Sequence, residues 1–151
     1  MDKYHNVGLV LVGSGPEEEQ LKKLCIEKKL NYVSFCGYQT MPKLVAYYKA
    51  CDLFVLPSNF EPWGLVVNEA LACGLPVVAT HSVGATEDLI NQYNGYTCKS
   101  GDVTSMKNAI EAVLKKLDIH ITQECMNTMD KWNFETYLKN YNEVLAKIWD
   151  K

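Results

Sequence analysis

Two glutamates with a spacing of eight residues, Glu61 and Glu69, are the acidic side chains in this sequence whose arrangement most suggests chemistry. They flank a Pro-Trp-Gly corner and an apolar run in which Asn68 and Glu69 are the only polar residues before Gly74. Each carboxylate can accept hydrogen bonds from two adjacent hydroxyls, so the pair suits the binding of a polyol or sugar. A buried carboxylate is unfavourable without a partner, so we expect Glu69 to face a cleft. Spacing alone also allows a solvated Glu61 and a Glu69 that caps neighbouring backbone.

The chain contains no arginine, which limits how it can bind a phosphate. Backbone N–H groups, helix termini and lysines are the remaining phosphate ligands. Gly64, Leu65 and Val66 stand at the start of a predicted helix, where the first N–H groups lack intrahelical acceptors. A diphosphate at these groups, a diol on Glu69 and a polyol on Glu61 would together describe a nucleotide sugar.

Short Val-rich runs that end at glycine or proline alternate with helical patterns along the chain. The predicted strands are residues 7–12, 32–36, 52–56, 76–80 and 95–98. The predicted helices are residues 16–28, 41–50, 65–73, 85–91, 103–117, 122–129 and 134–149. This alternation predicts an α/β fold, a Rossmann-like doubly wound parallel sheet with helices on both faces.

The carboxyl ends of the strands are the expected ligand edge of such a sheet. Four segments follow those ends and are predicted to form one site: residues 13–15, 37–40, 57–64 and 80–84. Gly13-Ser14-Gly15 follows the first strand, but Glu18 stands where a dinucleotide-binding motif requires its third glycine. The alternatives are a simple tight turn and a loop that a ligand approaches closely.

Length and composition favour one globular domain. The 151 residues carry a net charge of -3 and scattered lysines, which argues against general nucleic-acid binding. Six cysteines without C-x-x-C or zinc-type spacing predict reduced thiols, no metal site and a cytoplasmic location. No signal peptide or long apolar span is recognisable in the sequence.

Five separated motifs resemble one family in order and type. The run E-P-W-G-L-V-V-N-E-A-L-A-C-G-L-P-V-V-A-T is accompanied by G-S-G-P, F-C-G, D-L-F-V-L-P-S and V-G-A-T-E-D-L-I. Together they resemble the carboxy-terminal, donor-binding domain of retaining GT-B glycosyltransferases, the group-one family that includes sucrose and glycogen synthases. The resemblance covers about residues 7–117.

The resemblance implies a role for each matching position. Glu61 matches the catalytic-site acid that contacts the donor sugar, and Glu69 matches the acid that binds the ribose hydroxyls. The remaining donor-binding positions that we assign are main-chain contacts to phosphate, sugar or base, at Gly64, Leu65, Val66, Gly13, Gly15, Phe35, Gly37 and Tyr38. The implied reaction is retaining transfer of a hexosyl group from an NDP-sugar to a sugar, lipid or glycan acceptor. It requires no bound metal or other cofactor, and the leaving diphosphate acts as a proton acceptor.

The sequence also departs from the family pattern. Trp63 stands where Phe is more common, and Ala85 replaces the second glycine of a Gly-Gly pair. The family's preceding strand, with its phosphate-binding Arg and Lys, and the amino-terminal acceptor domain have no match here. We therefore expect residues 1–151 to be one donor-binding domain of a longer enzyme, with a core at about 7–117 and terminal helices at 118–151.

The expected partners are the nucleotide sugar and the missing amino-terminal domain. We expect the fragment to be inactive alone and the full enzyme to have possible peripheral membrane association. Three alternatives remain at this point: a nucleotide-sugar epimerase of the same layout, a non-catalytic domain paired with a separate acceptor domain, and a receiver-like module. The receiver needs acids at the end of the first strand, where this chain has Val12 and Gly13.

Overall fold

The structure is a computed structural model that describes residues 7–149. The chain divides into two compact units, Met1–Ala46 and Tyr47–Lys151. Both contain parallel strands and helices, in the order expected from the sequence. This architecture of parallel sheets with flanking helices confirms the predicted α/β, Rossmann-like class.

The first unit has a two-stranded parallel sheet. Its elements are β1 (Leu9–Leu11), α1 (Glu18–Glu27), β2 (Val33–Phe35) and the first part of α2 (Met41–Ala50). Leu9 lies opposite Val33 and Leu11 lies opposite Phe35. None of the described residues 7–46 is buried.

The second unit has a three-stranded parallel sheet in which β4 lies between β3 and β5. Its strands are β3 (Phe54–Leu56), β4 (Val77–Thr80) and β5 (Gly95–Cys98). Its helices after α2 are α3 (Leu65–Ala72), α4 (Ala85–Leu89), α5 (Val103–Leu114), α6 (Ile119–Asp130) and α7 (Phe134–Trp149). Every residue of β4 is buried, because the strand pairs on both edges and α3 and α5 both contact it.

The core of the second unit forms around the sheet and the helices α5 and α6. Buried side chains pack together there, namely Val78, Cys98, Ala109, Val113 and Ile121. All six cysteines are free thiols, as expected. Burial raises the pKa of the Cys125 thiol to about 12, so this side chain stays neutral within the core.

Several helix boundaries differ from the predictions. We predicted that Pro16 begins α1, but Pro16 lies in a turn and the helix begins at Glu18. We predicted a helix to residue 117 and another from 122, but α5 ends at Leu114 and α6 begins at Ile119. The reason is Asp118, whose carboxylate caps α6 by accepting from the N–H groups of His120 and Ile121.

Within residues 7–149, no helix is both long and apolar enough to cross a membrane.

Candidate functional site

The E-P-W-G corner before α3 is held by the loop that follows β4. The N–H of Glu61 donates to the carbonyl of Ser82 at 3.0 Å, and the N–H of Gly84 donates to the carbonyl of Glu61 at 2.9 Å. The N–H of Ala85 also donates to the carbonyl of Trp63 at 2.8 Å. Three backbone hydrogen bonds therefore fix the segment that carries Glu61.

Two glycines permit this close approach. A Cβ atom at Gly84 would lie 2.1 Å from the carbonyl oxygen of Pro62, so no larger residue fits without movement of the backbone. Gly64 has φ +92°, a left-handed conformation that favours glycine. A Cβ there would lie 2.9 Å from Cγ1 of Val83 and 3.2 Å from Cγ of Glu61. The stem of Glu61 therefore packs beside the start of α3.

The first turn of α3 presents unused backbone donors. Gly64 is the N-cap and has no side chain to accept from the helix. Its carbonyl accepts from the N–H of Val67 at 2.8 Å. The N–H groups of Leu65 and Val66 have no acceptor within residues 7–149. Because these donors carry the positive end of the helix dipole, they favour an anion.

The helices α5 and α6 differ from α3 in this respect. The carboxylate of Asp102 accepts from the N–H of Ser105 at 2.9 Å at the start of α5. Asp118 has the same role at the start of α6. The first turn of α3 contains no acidic residue and its N-cap provides no carboxylate, so an external anion can bind there without competing with a cap.

Glu69 lies further along α3 and is partly buried. Its Oε2 accepts a hydrogen bond from the Tyr48 hydroxyl at 2.9 Å. Burial first, and then the Glu69 carboxylate, raise the pKa of Tyr48 well above its usual value. The phenol is therefore a protonated donor to the carboxylate. This partner is a side chain, in contrast to the backbone cap that spacing alone had allowed.

Trp63 is anchored at two points. Its indole Nε1 donates to Oδ1 of Asn68 at 3.0 Å, which ties the corner to α3. Its ring packs against Trp132 with a centroid separation of 5.7 Å. The tryptophan therefore provides an aromatic wall beside Glu61, as its position in the motif suggests.

The predicted residues of the first unit also form a local arrangement. The N–H of Gly13 donates to the carbonyl of Gly37 at 2.8 Å, so the glycine turn and the end of β2 lie side by side. The carbonyl of Gly15 accepts from the first residue of α1. Phe35 pairs with β1, and Tyr38 is 79% exposed. These positions therefore present main-chain groups and the exposed ring of Tyr38.

Each unit thus brings together one subset of the predicted residues. The second unit groups Glu61, Gly64, Leu65, Val66 and Glu69 on the corner and α3, and the first unit groups Gly13, Gly15, Phe35, Gly37 and Tyr38 near the ends of β1 and β2. Over residues 7–149, no three His, Cys, Asp or Glu side chains form a group that could hold a metal ion.

Sequence reasoning missed the contact between Tyr48 and Glu69. Tyr48 lies on the buried side of α2, where its side chain is 6% exposed. The hydrogen bond itself joins residues 21 positions apart. No local pattern in the sequence signals such a pair, because it depends on how α2 and α3 pack.

The parallel sheets with flanking helices define a class of protein, the Rossmann-like α/β domains. The family profile "Glycosyl transferases group 1" matches residues 1–126. The chain belongs to this family, which confirms the resemblance to GT-B glycosyltransferases found in the motifs.

Individual relatives agree with the family assignment. An uncharacterized glycosyltransferase of Methanocaldococcus jannaschii is 32% identical over 88% of this chain and 34% of its own length. The N-acetyl-alpha-D-glucosaminyl L-malate synthase of Bacillus anthracis is 37% identical over 74% of this chain and 29% of its own length.

A solved structure shows the same fold. The crystal structure of Anabaena HepE in complex with UDP has a TM-score of 0.75 and 28% identity, over 93% of this chain and 41% of that chain. The chain spans well under half the length of these three proteins.

Proposed function

We propose that this chain is the nucleotide-sugar-binding domain of a retaining glycosyltransferase. The parent enzyme transfers a hexosyl group from an NDP-sugar to a sugar, lipid or glycan acceptor. The observation that carries the proposal is the placement of Glu61 on the corner before α3 and of Glu69 within α3, with the free N–H groups of Leu65 and Val66 between them in the chain.

Each part of the donor has a chemical counterpart on this corner. The diphosphate accepts hydrogen bonds from the first turn of α3, where the helix dipole also favours negative charge. The ribose hydroxyls donate to Glu69, and the hydroxyls of the hexose donate to Glu61. This arrangement needs no arginine, and the chain contains none.

The residues of the first unit complete the proposal through their main chain. Phe35, Gly37 and Tyr38 contact the base, while Gly13 and Gly15 let the donor approach the backbone closely. The structures of HepE with UDP and with UDP-glucose support a nucleotide-sugar donor. In this proposal the transfer uses no metal, and the leaving diphosphate accepts the acceptor's proton.

Transfer needs an acceptor held in line with the donor, which we assign to an amino-terminal domain of the parent enzyme. This chain alone is then expected to bind nucleotide and to transfer little sugar. We place the parent enzyme in the cytoplasm, with peripheral contact to a membrane where its acceptor is a lipid.

Titration calorimetry of the chain with UDP, GDP and ADP tests the proposal. We expect one or more of the three to bind, and Glu69→Ala to weaken that binding about 10-fold or more, because hydrogen bonds to a carboxylate are strong. Glu143→Gln on the exposed face of α7 is the matched control and leaves the affinity unchanged.

Two results would contradict the proposal: no binding of any of the three nucleotides at millimolar concentration, or an unchanged affinity in Glu69→Ala. A second measurement tests the proposed contact between Glu61 and the sugar separately from nucleotide binding. Glu61→Gln should weaken UDP-sugar binding more than UDP binding if UDP is the nucleotide that binds.

A further inference from the structure

The hydrogen bond to Glu69 comes from a residue whose own position is fixed. Tyr48 is 6% exposed, and its ring meets Phe54 edge-to-face with centroids 5.7 Å apart. A tyrosine side chain has only two rotatable bonds, so a packed ring leaves its hydroxyl little freedom. The hydroxyl is therefore a hydrogen-bond donor of fixed position, 2.9 Å from Oε2 of Glu69.

A glutamate without such a contact samples several rotamers. Ordering a free Glu side chain on ligand binding opposes the binding through lost rotamer entropy. The bond from Tyr48 restricts the Glu69 side chain before any ligand arrives. The rotamer entropy of Glu69 is then lost when the chain folds, so its loss no longer opposes the binding of the ligand.

The type of donor matters as much as its position. A lysine would neutralise the carboxylate of Glu69, whereas the phenol of Tyr48 is uncharged. Burial and the neighbouring carboxylate raise the pKa of Tyr48, so the hydroxyl keeps its proton. Oε2 therefore accepts from a neutral donor, so the carboxylate keeps its negative charge and Oε1 is left to accept from a pair of hydroxyls.

We propose that Tyr48 is a positioning residue for the donor nucleotide, which holds Glu69 in the orientation that accepts from the ribose hydroxyls. Tyr48 thereby sets the preference of the site for a ribonucleotide over a 2′-deoxyribonucleotide. This inference rests on the proposed ribose role of Glu69.

The test uses Tyr48→Phe, which removes the hydroxyl and keeps the ring against Phe54. The nucleotide among UDP, GDP and ADP that binds the chain most tightly is compared with its 2′-deoxy counterpart by calorimetry. We expect Tyr48→Phe to weaken ribonucleotide binding about 5-fold and deoxyribonucleotide binding about 2-fold, because the deoxyribonucleotide keeps only the 3′-hydroxyl. The ribo-to-deoxy preference then falls about 2- to 3-fold.

Two further variants make the result specific. Tyr141→Phe removes a hydroxyl from the exposed side of α7 and should leave the preference unchanged. In a Glu69→Ala background, Tyr48→Phe should have no additional effect on the preference, because the residue through which it acts is gone. A purely structural role of Tyr48 predicts equal losses for both nucleotides.

The outcomes separate the inference from the proposed function. If Glu69→Ala abolishes the ribose preference and Tyr48→Phe does not alter it, the role of Tyr48 is wrong and that of Glu69 stands. An equal loss for both nucleotides in Tyr48→Phe also overturns the inference. An unchanged preference in Glu69→Ala, or no nucleotide binding at all, overturns both.

Discussion

The predicted ligand contacts of the two units lie in surroundings that differ in how tightly they are packed. Among the described residues 7–46 no residue is buried, whereas all four residues of β4 in the second unit are buried. The first unit provides main-chain groups, which need only a defined backbone. The second unit provides Glu61 and Glu69, whose carboxylates need neighbours that hold a rotamer. The predicted side-chain ligands therefore lie where a packed core can position them.

The glycines next to the predicted ligand contacts show the same difference. An added Cβ at Gly13, Gly15 or Gly37 would meet nothing within 4 Å. At Gly64 and Gly84 it would meet neighbouring atoms at 2.9 and 2.1 Å. The corner that carries Glu61 is thus a close-packed junction, while the glycine turns of the first unit stand in open space in the described structure.

The largest expected effect comes from substitution at that junction. Gly84→Ala forces its Cβ against the carbonyl of Pro62, and we expect a loss of about 3 kcal/mol in the free energy of unfolding. Gly15→Ala in the first unit should change it by less than about 0.5 kcal/mol, since the added methyl has space. Urea denaturation of both variants measures the difference. An equal change in the free energy of unfolding for the two variants would contradict the difference in packing between the two units.

A smaller effect is expected from matched valines in the two sheets. Val78 in β4 is fully buried, and Val78→Ala should lower the free energy of unfolding by about 2 kcal/mol through lost burial and a cavity. Val10 in β1 is 39% exposed, so Val10→Ala should lower it by under about 1 kcal/mol. Thermal unfolding of both variants at one pH provides the measurement. A loss at Val10 as large as that at Val78 would show that the first sheet also depends on tight packing.

Much of the fold could be predicted from local sequence patterns. Short runs rich in valine and aromatic residues, most of them next to a glycine or proline, identified the five strands, and the bounds of α2, β5 and α7 agree with the prediction. The errors lie at the ends of the other elements. At the start of α6, for example, the hydrogen bonds that Asp118 accepts decide the first helical residue.

The candidate site could be predicted only in its local part. The start of α3 at Leu65 follows from Pro62 and Gly64, and the carboxylates follow from residue type. The hydrogen bond from the N–H of Glu61 to Ser82 joins segments that are distant in sequence. That from Tyr48 to Glu69 also joins residues 21 positions apart. Such contacts arise from packing and leave no local signal, while the roles assigned to the residues stay predictions.

The central claim is that the first turn of α3 binds the diphosphate of a nucleotide. Titration of the isotope-labelled chain with UDP, GDP and ADP, followed through backbone amide resonances, tests it most directly. We predict saturable shifts at Leu65 and Val66, whose N–H groups are free, and none at Ser105 and Ile121, whose N–H groups donate to aspartates. Saturable binding that leaves Leu65 and Val66 unmoved would contradict the claim.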